Sequence, residues 1–310
     1  MLNRRHIRKK VMQSLFELQL TNSQNLDPAY KKLNDSLQNV HNLYALQLQL
    51  FTVILQKAQK LNKASQETLL SANKSDKAVR LVNNMFFNHI NSSQELAMFI
   101  ENNKLANWEL DDEYASLFLN EILSSEFYQK YTQESSSFEK DRELILFVFK
   151  KIIAPNDKLY SYYEDSCISW VDDLPIVNTV ILKQLKKMNI AEPLEMVKLY
   201  KDAEDKMFAR TLLNKVYLND DELAKYVDEK TPKWDADRIA TIDAILMKMA
   251  ICEFLKFPSI PVKVTINEYL EIAKEYSTKK SSVFINGILD SLSKDFKEAN
   301  KLQKMGRGLM

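Results

Sequence analysis

"TIDAILMKMAICEFLKFPSIPVKVTINEYLEIAKEYSTKKSSVFINGILD", residues 241–290, carries three apolar stripes in succession. Ile242, Ile245, Leu246, Met249 and Ala250 recur three or four residues apart, the spacing of one face of an amphipathic helix. That helix is expected to start near Asp235–Asp237. Pro258 and Pro261 in the "FPSIP" loop cannot continue it. Ile266, Leu270 and Ala273 give the second stripe, with Thr265 and Glu268 reading as a capping box. "STKKSS" closes that helix, and Ser281 or Ser282 reads as the cap of the next. There Ile285, Ile288, Leu289, Leu292 and Phe296 form the stripe. Gly287 lies inside this last helix, where glycine costs about 1 kcal/mol against alanine. Its expected use is to let a neighbouring helix approach the backbone closely.

Working outward, the composition supports helices throughout. The chain has 310 residues but three glycines and seven prolines, little material for hairpins or phosphate-cradling loops. With 45% hydrophobic and 27% charged residues it can bury sizeable cores. The expected fold is all-α. Net charge is +1, so any nucleic-acid role must come from local clustering. Cys167 and Cys252 form no C-x-x-C and read as buried free thiols of a reducing, cytoplasmic protein. No apolar run is long enough to span a bilayer, so no membrane partner is expected, and the basic start lacks the apolar stretch of a signal peptide. His6, His41 and His89 are scattered and fit no metal motif. No nucleophile motif occurs either. The expectation is a protein without catalysis, cofactor or metal.

Five segments follow along the chain. Residues 4–20 read as a helix with Ile7, Val11, Leu15 and Leu18 inward, so 1–21 is a basic N-terminal helix. Residues 22–138 read as a helical extension. Its first helix is capped at Asp27 and runs to about residue 62, with a heptad-like stripe from Leu33 to Ala58 that suits coiled-coil pairing. Helices are expected near 66–90, 93–106 and 111–132, and "TQESSS" (132–137) as a linker. Asp141, Lys151, Asp157, Leu159, Tyr162, Trp170, Asp173, Ile181 and Leu182 recur 64 residues later as Asp205, Lys215, Asp221, Leu223, Tyr226, Trp234, Asp237, Ile245 and Leu246. This reads as a duplicated three-helix module, with 139–200 its first copy. Residues 201–300 form a C-terminal helical domain and 301–310 a basic tail.

Before Glu17, the first acidic residue, come Arg4, Arg5, His6, Arg8, Lys9 and Lys10. A helix start favours anions, not cations. Folding does not ask for this cluster, and a polyanionic partner would explain it; a solvated basic face is the alternative. Each single-strand phosphate neutralised would steepen the salt dependence of log K by about 0.7. Phe284 lies off the buried stripe of its helix and could stack a base, or belong to the core. Asn286 could bond a base edge or a local backbone group.

The stretch from Asp237-Arg238 through Asp243-Ala244-Ile245-Leu246, Glu253, Pro261, Ile266-Asn267-Glu268 and Ala273-Lys274 to Phe284–Asp290 resembles the NusB family of transcription antitermination factors. The opening "RRHIRKKVMQSLF" resembles that family's arginine-rich first helix. The resemblance covers the two ends of the chain and leaves about 22–200 unexplained. It implies a NusB-like helical bundle that binds boxA-like single-stranded RNA of ribosomal RNA transcripts. It also implies a ribosomal-protein partner, NusE, and through it an indirect link to RNA polymerase. Carried onto this sequence, the RNA face would comprise Arg4, Arg5, Arg8, Lys9, Lys279, Lys280, Phe284 and Asn286. The partner face would comprise Phe16, Leu20, Asp237 and Asp243. Lys279-Lys280 departs from the family, which often has acidic or small polar residues there. A helical interaction scaffold that has lost RNA binding is the competing reading.

Overall fold

The computed structural model describes residues 1–21, 25–67, 78–231 and 239–309. The regular elements among them are all helical, without a strand. The chain forms two compact units: residues 38–199 (with Met1), and residues 2–37 together with 200–310. Helix α2 (Leu26–Glu67) runs from the second unit into the first.

In the first unit α2 is buried nearly all round. The six consecutive residues from Leu43 to Leu46, Gln47 and Leu48 are all inaccessible or nearly so. A coiled-coil seam would bury one narrow stripe; burial on every side marks a central helix instead. Around it lie α3 (Met85–Asn91), α4 (Gln94–Asn102), α5 (Asn107–Leu110), α6 (Glu113–Ser124) and α7 (Glu126–Gln133). Of the three longer helices expected over 66–132, the first and the last are divided, whereas 93–106 is one helix, shortened to Gln94–Asn102. Asn84 and Ser125 are the cause, each accepting backbone N–H groups at a helix start, while Ser93 caps its helix at the expected boundary. The expected linker at 132–137 is a short loop inside this unit, and Ser137 caps α8 (Phe138–Phe147). α8 continues as a π-helical turn over Val148–Ile153 and is followed by α9 (Asp157–Ser166) and α10 (Trp170–Lys187).

The second unit is built from α1 (Arg4–Thr21), the start of α2, α11 (Ala203–Leu218), α12 (Asp220–Lys230), α13 (Thr241–Lys256), α14 (Val262–Tyr276) and α15 (Lys279–Glu298). Shifted by 64 residues, α8 with its π turn coincides with α11, and α9 with α12, to within one residue at each end. Asp141 and Asp205, 64 residues apart, are both buried. Trp234 and Asp237, which complete the repeat, lie outside the described residues, as does the expected start of α13 at 235–237.

Ile7, Val11, Leu15 and Leu18 face inward from α1 as expected. On α14 the stripe is shifted. Thr265, Tyr269, Ile272 and Ala273 are buried, whereas Ile266 and Leu270 are half-buried. The helix begins at Val262, after Pro261, one turn ahead of the expected capping box. Thr265 and Glu268 therefore serve other partners, described below. α15 starts at Lys279, and Thr278 rather than a serine is its cap, accepting from Ser281 N–H. Ile285, Leu289, Leu292 and Phe296 are buried, with Ile288 at the margin. Cys252 is buried and Cys167 only half-buried; neither is in a disulfide.

The glycines reverse the expectation. A Cβ on Gly287 would meet nothing within 4 Å, so no helix packs there. A Cβ on Gly308 would lie 1.9 Å from the Pro258 carbonyl oxygen. Close approach is needed in the C-terminal segment, which docks on the "FPSIP" loop: Met305 N–H donates to Pro258 O at 3.0 Å. Lys304 donates to the Glu253 and Phe257 carbonyls at the end of α13, satisfying groups that a helix C-terminus leaves unpaired.

Candidate functional site

The opening cations are engaged within the second unit. Arg8 is 2% exposed. Its Nε and Nη2 donate to the two carboxylate oxygens of Glu253 at 2.7 and 2.9 Å. Glu253, fully buried on α13, also accepts from Tyr269 OH at 2.8 Å and Thr265 Oγ1 at 3.2 Å. The guanidinium lies 5.2 Å from the Phe208 ring centroid and 5.6 Å from that of Tyr269. Burial works against the Arg8 charge, yet Glu253 more than offsets it, and the guanidinium's pKa rises above its ordinary value. Burial, then Glu253, pushes the Tyr269 phenol well up. Arg4 pairs with Asp205 at 2.8 Å and Glu204 at 3.0 Å. Arg5 grips Glu268 with two bonds of 3.0 and 2.9 Å.

The expectation that folding does not ask for this cluster is therefore corrected. Its charges are neutralised by acids of α11, α13 and α14. Arg8 in particular is a core residue, inaccessible to a phosphate. Arg4 and Arg5 keep about a third of their side chains exposed, at 31% and 34%. Lys10 is buried.

Lys9 ties α1 to the last turn of α14. It pairs with Glu275 and lies 5.8 Å from the Tyr276 ring centroid. The next turn leads into α15, whose first residues, Lys279 and Lys280, are exposed. Val283, 73% exposed, and Asn286 and Gly287, both exposed, continue along α15. Phe284 is half-buried. The bare backbone at Gly287 thus lies in an open strip beside Asn286, a feature the sequence stripe could not reveal. A second recess, about 580 Å³, lies between Arg4, Arg5 and the Ser259–Pro261 loop.

Of the expected partner residues, Phe16 is half-buried and Leu20 is 66% exposed. Asp243 is 5% exposed and faces inward in the first turn of α13, which corrects its expected role on an acidic surface. Asp237 lies outside the described residues. Acidic groups do gather elsewhere: Asp220, Asp221 and Glu222 open α12 and line a groove of about 1020 Å³ with Leu15, Leu18 and Leu218. Lys248, on the same groove, is held by Asp220. The "DDE" run in the sequence could have pointed to this surface.

Among the described residues no three His, Cys, Asp or Glu side chains gather as metal ligands, and no helix is long and apolar enough to cross a membrane. These features define an all-helical protein with an open polar helix face and a separate acidic, apolar-floored groove. The NusB family profile matches residues 176–294. The chain is 38% identical over 114 residues to the transcription antitermination protein NusB of Salinibacter ruber, covering 37% of this chain and 71% of that protein. It is 42% identical to the proteins of the same name from Chloroherpeton thalassium and Thermodesulfovibrio yellowstonii, over 35% and 30% of this chain and 52% and 62% of theirs. A solved structure of T. maritima NusB is 29% identical over 38% of this chain and 75% of that one, with a TM-score of 0.29. The chain belongs to the NusB family, although it spans only about half the length of the Chloroherpeton thalassium protein. The profile does not reach α1.

Proposed function

We propose that this protein is an RNA-binding transcription antitermination factor. The observation that carries the reading is the exposed strip of α15, inside the family-matched span: Lys279, Lys280, Asn286 and the bare Gly287 backbone. Two lysines attract phosphate, an amide bonds a base edge, and a glycine lets a strand lie close to the helix. Phe284 offers a ring at the same end. Lys9, Arg4 and Arg5 extend the face by exchanging carboxylate partners for phosphates. The ligand in this reading is boxA-like single-stranded RNA. The acidic groove at Asp220–Glu222 suits a basic ribosomal protein, NusE, through which the complex reaches RNA polymerase.

Fluorescence anisotropy with a boxA oligonucleotide and a scrambled control tests this, with and without the ribosomal protein. Lys279→Glu with Lys280→Glu should weaken binding at least tenfold and flatten the salt dependence. Equal affinity for both oligonucleotides, unchanged in the variant, rejects the reading. The ion pairs of Arg4, Arg5 and Arg8 favour the other reading, a scaffold without RNA. A scaffold would bind the ribosomal protein and show no sequence preference for RNA.

A further inference from the structure

The first unit contains a small recess of about 190 Å³, of whose lining residues only Asn178 falls inside the family-matched span 176–294. Three buried polar atoms on its lining residues have no hydrogen-bond partner: Gln47 Oε1, Tyr163 OH and Asn178 Oδ1. Gln47 is 1% exposed and Tyr163 is fully buried. An unmade hydrogen bond on a buried polar group costs about 1–3 kcal/mol, and few such groups persist in a folded protein without a reason. Here three belong to residues that line one space.

The backbone around the recess is irregular at two further points. Ile153 and Ala154 close the π-helical turn, where Ala154 N–H reaches back five residues to Phe149 O at 2.9 Å. Such turns recur at functional sites. Pro175, inside α10, has no N–H to give the Val171 carbonyl. Both residues line the recess. The remaining walls, Leu159 and Leu174 among them, are apolar, and none of the lining residues carries a charge.

These features define the ligand. Uncharged walls select a neutral molecule. An apolar cavity of about 150 Å³ takes one benzene ring, so this recess takes a single ring with polar substituents. Two amide oxygens require donors from the ligand, and the phenol can donate to a carbonyl. We propose that the recess binds a pyrimidine base, uracil or cytosine, whose ring N–H or amino groups meet Gln47 and Asn178 while a base carbonyl accepts from Tyr163. Burial holds that phenol protonated. The site is independent of the α15 face, and its test does not depend on boxA binding.

Calorimetric titration of the full chain with uracil, cytosine, adenine and benzene tests the proposal. One pyrimidine should bind with one-to-one stoichiometry. Tyr163→Phe and Gln47→Leu should each weaken it at least tenfold, with circular dichroism unchanged. Tyr163→Phe keeps the ring and removes one oxygen, so it carries the test if Gln47→Leu does not fold. Competition by an oligouridylate would assign the base to an RNA strand, and binding of uridine without such competition to a free nucleoside. Absence of pyrimidine binding at millimolar concentration overturns the proposal. So does binding that neither variant alters. A Gln47→Leu protein that melts higher, from a parent that takes up no base, would mark the recess as a hydration site only.

Discussion

Arg8 sits in an arginine-rich run that reads as a binding surface, and it is among the most deeply buried side chains in the protein. Its carboxylate partner lies 245 residues away. No local pattern links the two, so spacing could not reveal the pair. A buried pair stripped of one member leaves an uncompensated charge, at a cost of about 3–5 kcal/mol. Arg8→Ala should lose that much in urea unfolding, whereas Arg5→Ala, at a half-exposed pair, should lose about 1 kcal/mol or less. Equal, small losses would remove Arg8 from the core role assigned to it. His6 offers a pH signature. Burial, then the charges of Lys9, Arg5 and Lys10, hold its pKa down at about 4. As pH falls below 6.5 the unfolded imidazole takes up a proton that the folded one refuses until about pH 4. Stability should therefore decline across that window as acid is added and be unaffected by this group above it. His6→Gln should flatten the decline; an identical pH profile in the variant would contradict the depressed value.

Helices α1 and α15 were legible because apolar residues recur at helical spacing along them; α13 was legible as a helix, but its stripe understated its burial, which is continuous from Met249 to Phe254. The start of α14 was not, because Thr265 and Glu268 match a capping box in sequence while Pro261 lets the helix begin a turn earlier. Thr265 bonds Glu253 and Glu268 bonds Arg5 instead. The breaks at 84 and 125 were missed for a similar reason: Asn84 and Ser125 interrupt a continuous apolar pattern only when their side chains turn back on the backbone. Gly287 separates stability from binding on one helix. Gly287→Ala should raise the melting midpoint, equivalent to about 0.5–1 kcal/mol, since a methyl group there meets nothing within the chain. If the strip carries RNA, the same methyl should weaken the complex severalfold. Tighter helix and unchanged affinity together would free Gly287 of any binding role. Thr278→Ala, removing the cap of α15, should cost about 1 kcal/mol and, by fraying the turn that presents Lys279 and Lys280, lower affinity with it.

The family-matched span, residues 176–294, covers the later helices and reaches only the end of the unit formed by residues 38–199. That the protein is all-helical, and that its later part is NusB-like, could be read from composition and from the order of a few motifs. The electrostatic character of its opening could not, because a count of cations ignores the acids that fold back on them. Deleting residues 139–200 would remove α8 to α10 and the recess with them, so pyrimidine binding should vanish while any boxA affinity of the second unit persists, provided circular dichroism shows that unit still helical.

The long separation between Arg8 and Glu253 has a consequence for biosynthesis. At about 5–20 residues per second, a ribosome takes roughly 12–50 s to add the 245 residues between them. Throughout that interval the Arg8 guanidinium lacks the carboxylate that later encloses it. The counter-charges thus arrive in stages, from α11 for Arg4, from α13 for Arg8 and from α14 for Arg5 and Lys9, and the opening helix is fully matched only once α14 has been made.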